Sequence, residues 1–277
     1  GYDITLLRVG QNNITDQMAK IAGLPIMNIT RKLSPELFKL NADGALNGHI
    51  PITGYLSFLS IVLAILTDKT DVVWSNEASA NIGNVEFHGQ QINHQWSKGL
   101  EFENMFQRYV ETYITKKVRS FSLLRPFSEL KITEKFCEYP KYFPITTSCN
   151  ANWKIQKRNK IQDVRHQQSI NNSSSDSHLT SSFLHLDRTW CGKCPKCAFV
   201  FAMMSAFLPK KTVVDMFGGN LYADASLVPL YRELLGLEGF KPFECVGTPE
   251  ETTAAFLRYG DPYSAASSRL YADNVFR

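Results

Sequence analysis

Residues 3–33 read DITLLRVGQNNITDQMAKIAGLPIMNITRKL, and the fold class turns on that stretch. The apolar run at 3–9 has strand composition, and ITDQMAKIAG at 14–23 has helical spacing with a glycine stop. A second strand-like run occupies 25–33. SPELFKL then opens a short helix, with Ser34 as cap and Pro35 in its first turn. A long apolar segment leads to DVVWSNE at 71–77, a third strand. Strand, helix, strand, helix, strand predicts an α/β protein whose parallel sheet is flanked by helices. Ligands in such sheets sit beyond the carboxyl ends of the strands, so the residues that follow each strand are the candidates.

Downstream, residues 97–117 place Leu100, Phe102, Phe106, Val110 and Tyr113 at helical spacing, an amphipathic helix with its apolar face on the core. RPFSELKITEKFCEY at 125–139 gives another. From about 157 to 182 the chain turns Ser/Asn/Gln-rich, with too little apolar surface to pack. Helices are expected again at 198–208, 226–235 and 249–257. The expected organisation is an α/β core over 1–150, a flexible polar insertion over 151–182, and a mainly helical, cysteine-containing part over 183–277.

With 277 residues, 44% apolar and 20% charged, the composition is that of a soluble globular protein. A formal net charge of +4 is small and scattered, which argues against nucleic acid. The basic run KIQKRNK at 154–160 reads as a solvated loop. IPITGYLSFLSIVLAIL at 50–66 carries Pro51, Thr53, Ser57 and Ser60, and is shorter than the roughly 20 apolar residues of a membrane span. It reads as a buried helix. No signal peptide is visible and the first residue is not Met, so we expect an internal piece of a longer protein.

Six cysteines without a secretory signal point to a reducing compartment and a metal rather than disulfides. TWCGKCPKC at 189–197 steps Cys191, Cys194 and Cys197 two residues apart, a spacing that lets thiolates converge on one tetrahedral zinc. Lys193 and Lys196 partly offset the negative charge. Cys149 is the best fourth ligand, with His185 and Cys245 as outsiders. An iron–sulfur cluster or inert buried thiols are the alternatives.

Two polar stretches stand out. SNEASANIGN at 75–84 follows the third strand, and NHQWSKGLEFE at 93–103 leads into the amphipathic helix. They bring Glu77, His94, Lys98, Glu101 and Glu103, with Asn76, Asn81 and Asn84, toward one sheet edge. That inventory suits binding a multiply charged substrate and moving protons. Asn and Ser also cap helices and form turns, so the density carries the reading rather than any one residue. NGHIPIT at 47–53 offers His49 and backbone N–H groups at a helix start, an anion site or an ordinary capped turn. TPEE at 248–251 is a strong helix start, with Thr248 as cap and Glu251 closing the box.

Together NGHIPITGYLS, SNEASANIGN, NHQWSKGLEFE, RPFSELKI, WCGKCPKCAFVF and KPFECVGTPEE resemble the bacterial UDP-N-acetylmuramoyl-L-alanyl-L-glutamate epimerase family, over about residues 47–251. That family resembles the PP-loop ATP pyrophosphatases, which implies an adenine-nucleotide-hydrolase-like parallel α/β core. The implied reaction converts the terminal L-Glu of a UDP-muramoyl dipeptide to D-Glu with ATP and Mg²⁺, in the bacterial cytoplasm, with functional coupling to a muramoyl-peptide ligase. A related PP-loop enzyme, 7-cyano-7-deazaguanine synthase, carries a similar CGKC-type cluster that holds zinc. By the resemblance, Cys149, Cys191, Cys194 and Cys197 would hold a structural Zn²⁺. His94, Lys98 and Glu77 are the candidates for proton transfer, in that order. His49, Asn76, Asn81, Asn84, Glu101, Arg125 and Glu129 are the candidates for substrate or nucleotide binding. Cys149 and Cys245 form a rival pair of opposed thiols for racemisation.

The chain lacks a glycine-rich phosphate loop. Residues 3–9 fit the second strand of a PP-loop core, so the loop is expected before Gly1. Two other readings remain: a PP-loop enzyme that adenylates a different carboxylate for amidation or thiolation, and a zinc-stapled binding module without catalysis.

Overall fold

A computed structural model describes residues 1–46, 51–151 and 189–259. The chain forms two compact units, Gly1–Ser128 and Glu129–Arg277.

In the first unit β1 (Leu6–Val9) and β2 (Ile26–Ile29) pair in parallel, Leu6 opposite Ile26 and Val9 opposite Ile29. The crossover is α1 (Asn13–Ala22). Asn12 caps it by accepting from Ile14 N at 2.8 Å, and Gly23 ends it at φ 69°, a left-handed turn that glycine adopts without steric cost. Next, α2 (Pro35–Ala42) starts on Ser34, whose Oγ accepts from Glu36 N.

The helix α3 (Ile52–Leu66) departs from the buried helix expected of so apolar a segment. Its buried positions are Thr53, Ser57, Ser60, Ile61 and Ala64, whereas Tyr55, Phe58, Val62 and Leu66 are exposed. Ser57 and Ser60 return their hydroxyls to the carbonyls of Thr53 and Ser57 at 2.8 and 2.9 Å, which lets hydroxyl side chains occupy an interior face.

The third strand, β3 (Asp71–Trp74), does not join β1 and β2. It pairs in parallel with a later strand, β6 (Arg119–Ser122). Among the described residues the parallel pairing is therefore two separate two-stranded pieces rather than one continuous layer. Between β3 and β6 come the antiparallel hairpin of β4 (Val85–Phe87) and β5 (Gln90–Ile92), then α4 (Leu100–Tyr113). His88 and Gly89 both have positive φ in the hairpin's two-residue turn, as a right-twisted hairpin demands. Ile61, Ala64, Phe106, Val110 and Val118 form this unit's core, with Val72 and Phe102 against it.

The second unit is helical: α5 (Glu129–Phe136), α6 (Pro195–Ser205), α7 (Lys210–Phe217), α8 (Val228–Leu234) and α9 (Pro249–Tyr259). Phe199, Phe201, Ala202, Met203 and Met204 are buried on several sides of α6, the signature of a central helix. Phe201, Phe217, Tyr222, Tyr231 and Phe256 pack edge-on or tilted around it, with ring centroids 5.0 to 5.5 Å apart. Among the described residues no helix is long and apolar enough to cross a membrane.

Candidate functional site

In the first unit polar groups gather where β3 and β6 end. The pairing continues past the strands, with Leu123 N donating to Trp74 O at 2.9 Å and Ala78 N to Phe127 O at 3.0 Å. The two post-strand loops thus run together, at the edge where parallel α/β sheets take their ligands. Arg125 lies at their junction. Its Nη1 donates to the carbonyl of Glu77 at 2.7 Å, and its Nη2 to the carbonyl of Lys98 at 2.6 Å. Nη2 also stands 3.1 Å from Glu103 Oε2, in an ion pair whose side chains are only 11% and 15% exposed. Ser122 Oγ donates to the same carboxylate and accepts from Asn76 Nδ2 at 3.0 Å. A buried ion pair is tolerable when hydrogen bonds use its other donors and lone pairs; here both terminal nitrogens of Arg125 and the Glu103 carboxylate are so used, while Arg125 Nε is buried without a partner.

A cavity of about 10 Å³ between α3, β3, β6 and α4 is lined by Thr53, Ser57, Asn76, Glu103 and Ser120, among others. That is room for about one water molecule and not for a substrate.

The remaining expected residues divide by what holds them. His94 Nδ1 hydrogen-bonds Asn84 Oδ1, and Asn84 is itself buried. Asn81 Oδ1 accepts from Leu100 N at 2.7 Å and so serves the start of α4. Glu101 Oε2 accepts from the indole of Trp96 at 2.7 Å on the surface. Glu77 Oε1 receives the hydroxyl of Ser79 at 3.5 Å. Glu129 heads α5 in the second unit, where its N–H donates to Glu251 Oε1 at 2.6 Å. His49 and His185 lie outside the described residues.

In the second unit Cys149, Cys191, Cys194 and Cys197 converge, every sulfur within 4.8 Å of the others. Cys194 sits at the N-cap of α6 and Cys197 lies on its first turn, so one helix start aims two thiols. Gly192, at φ 71°, turns the chain so that Cys191 comes back to them. Thr147 fixes the fourth: its hydroxyl donates to Thr189 O at 2.6 Å and accepts from Cys149 N at 3.1 Å. Sulfur separations of 3.5, 3.7 and 3.9 Å for Cys194–Cys197, Cys191–Cys197 and Cys149–Cys194 bracket the edge of a tetrahedron. Four thiolates at about 2.3 Å from zinc would stand about 3.8 Å apart. The donor set and its dimensions fit a closed, structural tetrahedral metal site. Among the four thiols Cys194 is held down, to about 5, chiefly by its hydrogen bond with Cys197. Burial pushes Cys149 up to about 11, and its hydrogen bond with Cys194 raises Cys197 further. Cys149 is a member of the group and Cys245 is not, so a metal held by Cys149 would take it out of an opposed-thiol pair with Cys245.

Residues 1–123 match the MurL N-terminal domain and residues 173–271 the MurL C-terminal domain. The chain belongs to the MurL family. It is 39% identical over 261 residues to a protein of Salinispora tropica named UDP-N-acetyl-alpha-D-muramoyl-L-alanyl-L-glutamate epimerase, which covers 94% of this chain and 51% of the relative. Proteins of the same name from a Micromonospora species and from Xanthomonas oryzae pv. oryzae are each 38% identical over 255 residues, 92% of this chain and 51% of theirs. The chain spans about half the length of these curated relatives. No solved structure matches it.

In this MurL-family chain the sequence points to no role for Ser122, and Glu103 is marked only as one of the polar residues near the sheet edge, with no individual role. The signal for Glu103 was present: an acidic residue in the first turn of α4 on the side of Phe102 and Phe106, where a purely solvated carboxylate has no reason to be. Ser122 carried no local signal, since only its pairing with Trp74 shows it to be interior.

Proposed function

We propose that this chain forms part of an ATP-dependent epimerase that converts the terminal L-Glu of UDP-N-acetylmuramoyl-L-alanyl-L-glutamate to D-Glu for peptidoglycan. The carrying observation is the likeness to three epimerases over more than nine-tenths of the chain, through both family domains. The isomerase activity, its substrate and a bacterial cytoplasmic location belong to that reading, as does coupling to the ligase that extends the muramoyl peptide.

The chemistry explains the need for ATP. An α-proton beside an ionised carboxylate is hard to remove, because negative charge accumulates on negative charge. In the proposed reaction the carboxylate attacks the α-phosphorus of Mg-ATP, pyrophosphate leaves, and the acyl adenylate provides a neutral carbonyl beside the α-carbon. A base removes the proton on one face and an acid returns it on the other, and hydrolysis then releases AMP. His94, Lys98 and Glu77 are the groups we assign to these transfers, of types that work near neutral pH when positioned. Asn76, Asn84 and Glu101, with His49, would serve substrate or nucleotide. The adjacent parallel strands β3 and β6 support a PP-loop-like arrangement at this edge. The four-cysteine cluster would carry structural zinc.

Chiral analysis tests the reading. The full-length protein is incubated with the dipeptide precursor and Mg-ATP, the product hydrolysed, and glutamate enantiomers separated. D-Glu appearing only with ATP is expected. Pyrophosphate release with L-Glu unchanged would transfer the adenylation to another acceptor, and zinc binding without ATP turnover would leave a binding module.

A further inference from the structure

We infer that Arg125, anchored by Glu103, is a positioning residue that sets the spacing of Glu77 and Lys98 and is not itself a ligand for substrate. The inference rests on the epimerase reading above and gives the site a device that reading lacks. Two nitrogens of the guanidinium are committed to the protein: Nη1 to Glu77 O at 2.7 Å, and Nη2 to Lys98 O at 2.6 Å and Glu103 Oε2 at 3.1 Å. A substrate anion would have to displace a buried carboxylate to take this charge.

The clamp grips main-chain carbonyls, so it fixes where the two side chains begin. Glu77 follows β3, while Lys98 ends the short 3₁₀ turn Trp96–Lys98 before α4. Twenty-one positions separate them in sequence (98 − 77), and the planar fork of one arginine spans both. Glu103, in the first turn of α4, and Ser122, at the end of β6, hold the fork in register. The loop of Glu77, the turn of Lys98, the strand β6 and the helix α4 therefore share one hub. Proton transfer to and from opposite faces of a carbon demands that kind of fixed separation, and displacement by about 1 Å costs about 100-fold in rate. Lysine cannot replace the fork, because its single ammonium is a point charge on a flexible stem.

The test uses the full-length protein with Arg125→Lys and Glu103→Gln, and Ser122→Ala as a milder variant that removes only the hydroxyl supporting Glu103. Three readouts are taken: pyrophosphate release, deuterium incorporation at the glutamate α-carbon in D₂O, and amide hydrogen exchange around residues 77 and 98. We expect Arg125→Lys to lower deuterium incorporation and D-Glu formation about 100-fold, with KM for the dipeptide within about twofold. Amide exchange should rise in both segments together. A folded Arg125→Lys protein with wild-type deuterium incorporation would overturn the inference. So would a raised KM at unchanged kcat, which would make Arg125 a substrate ligand. Unchanged exchange in all three variants would overturn the clamp. A wild-type protein that forms no D-Glu would instead overturn the epimerase reading, a failure visible before any variant is made.

Discussion

Glu251 joins two helix starts through one carboxylate: its Oε1 accepts the N–H of Glu129 at 2.6 Å, at the head of α5, and its Oε2 accepts that of Thr248 at 2.8 Å. Thr248 Oγ1 accepts the N–H of Glu251 in return at 3.2 Å, which completes a capping box at α9. The first N–H groups of a helix have no partner inside it, so a single negative side chain satisfies donors of two helices and favours both dipoles. Glu251→Ala should cost about 2 to 3 kcal/mol, more than the roughly 1 kcal/mol of an ordinary cap, because two helices lose a partner. Glu251→Gln should cost less. Urea unfolding of each variant gives the difference, and equal costs for Thr248→Ala and Glu251→Ala would deny the bridge to α5.

Gly247 stands against the same carboxylate. A Cβ there would come within 2.4 Å of Glu251 Oε2 and 2.7 Å of Phe199 Cζ. Phe199 is buried on α6, at 3% exposure. Gly247→Ala is expected to destabilise by about 1 to 3 kcal/mol through overpacking. Combining it with Glu251→Ala should recover part of that loss, since one of the two obstacles is gone; thermal unfolding of the single and double variants measures the coupling.

Local signals in the sequence were followed closely by the chain. Ser34 and the Thr248–Glu251 box cap the helices they were expected to cap, because a cap depends on residues within one turn of each other. The cysteine group was legible for a similar reason, with only Cys149 distant in sequence. Strand pairing was less legible. Nothing in RSFS marks β6 as an interior strand, for Ser120 and Ser122 are buried with hydroxyls spent on Trp74 Nε1 and on Asn76 and Glu103. Hydrophobic patterning cannot register a strand whose inward side is polar and satisfied. The same blindness hid the hub at Arg125, whose partners Glu77, Lys98 and Glu103 lie 22 to 48 positions away.

Asp71 and Arg119 open β3 and β6 as register partners, with the guanidinium 2.6 Å from Asp71 Oδ1. The hydroxyl of Thr70, and then Arg119, hold the Asp71 carboxyl below its ordinary value of 3.8. A depressed carboxyl stabilises the folded state above its unfolded pKa, and that contribution fades as pH falls through the folded value. The loss therefore lies below about pH 4. Arg119 is exposed, so solvent screening limits the pair to under about 1 kcal/mol. Asp71→Asn should lower stability by at most that amount at pH 7 and by progressively less below pH 4. Parallel urea titrations of wild type and Asp71→Asn across that range would show the two curves converging; a constant gap would assign the effect to something other than the charge.

The cysteine centre makes the strongest demand on the protein's surroundings. A metal held by Cys149, Cys191, Cys194 and Cys197 ties a loop to the start of α6, the helix at the middle of the second unit's core. Binding then contributes directly to folding. One zinc per chain is expected by elemental analysis of protein purified without chelator. Replacing Cys194→Ser should abolish stoichiometric metal and lower the unfolding temperature markedly, whereas Cys137→Ser, outside the group, should keep the metal. Thiol ligands must shed protons to bind, so acidification should release zinc and the released metal should be countable with a chromogenic chelator. Cys137, pushed up to about 11 by burial, is only about one part in a thousand thiolate at pH 8 and should resist alkylation until the protein unfolds. A stable, metal-free Cys194→Ser protein with the wild-type unfolding temperature would reduce the four thiols to packing.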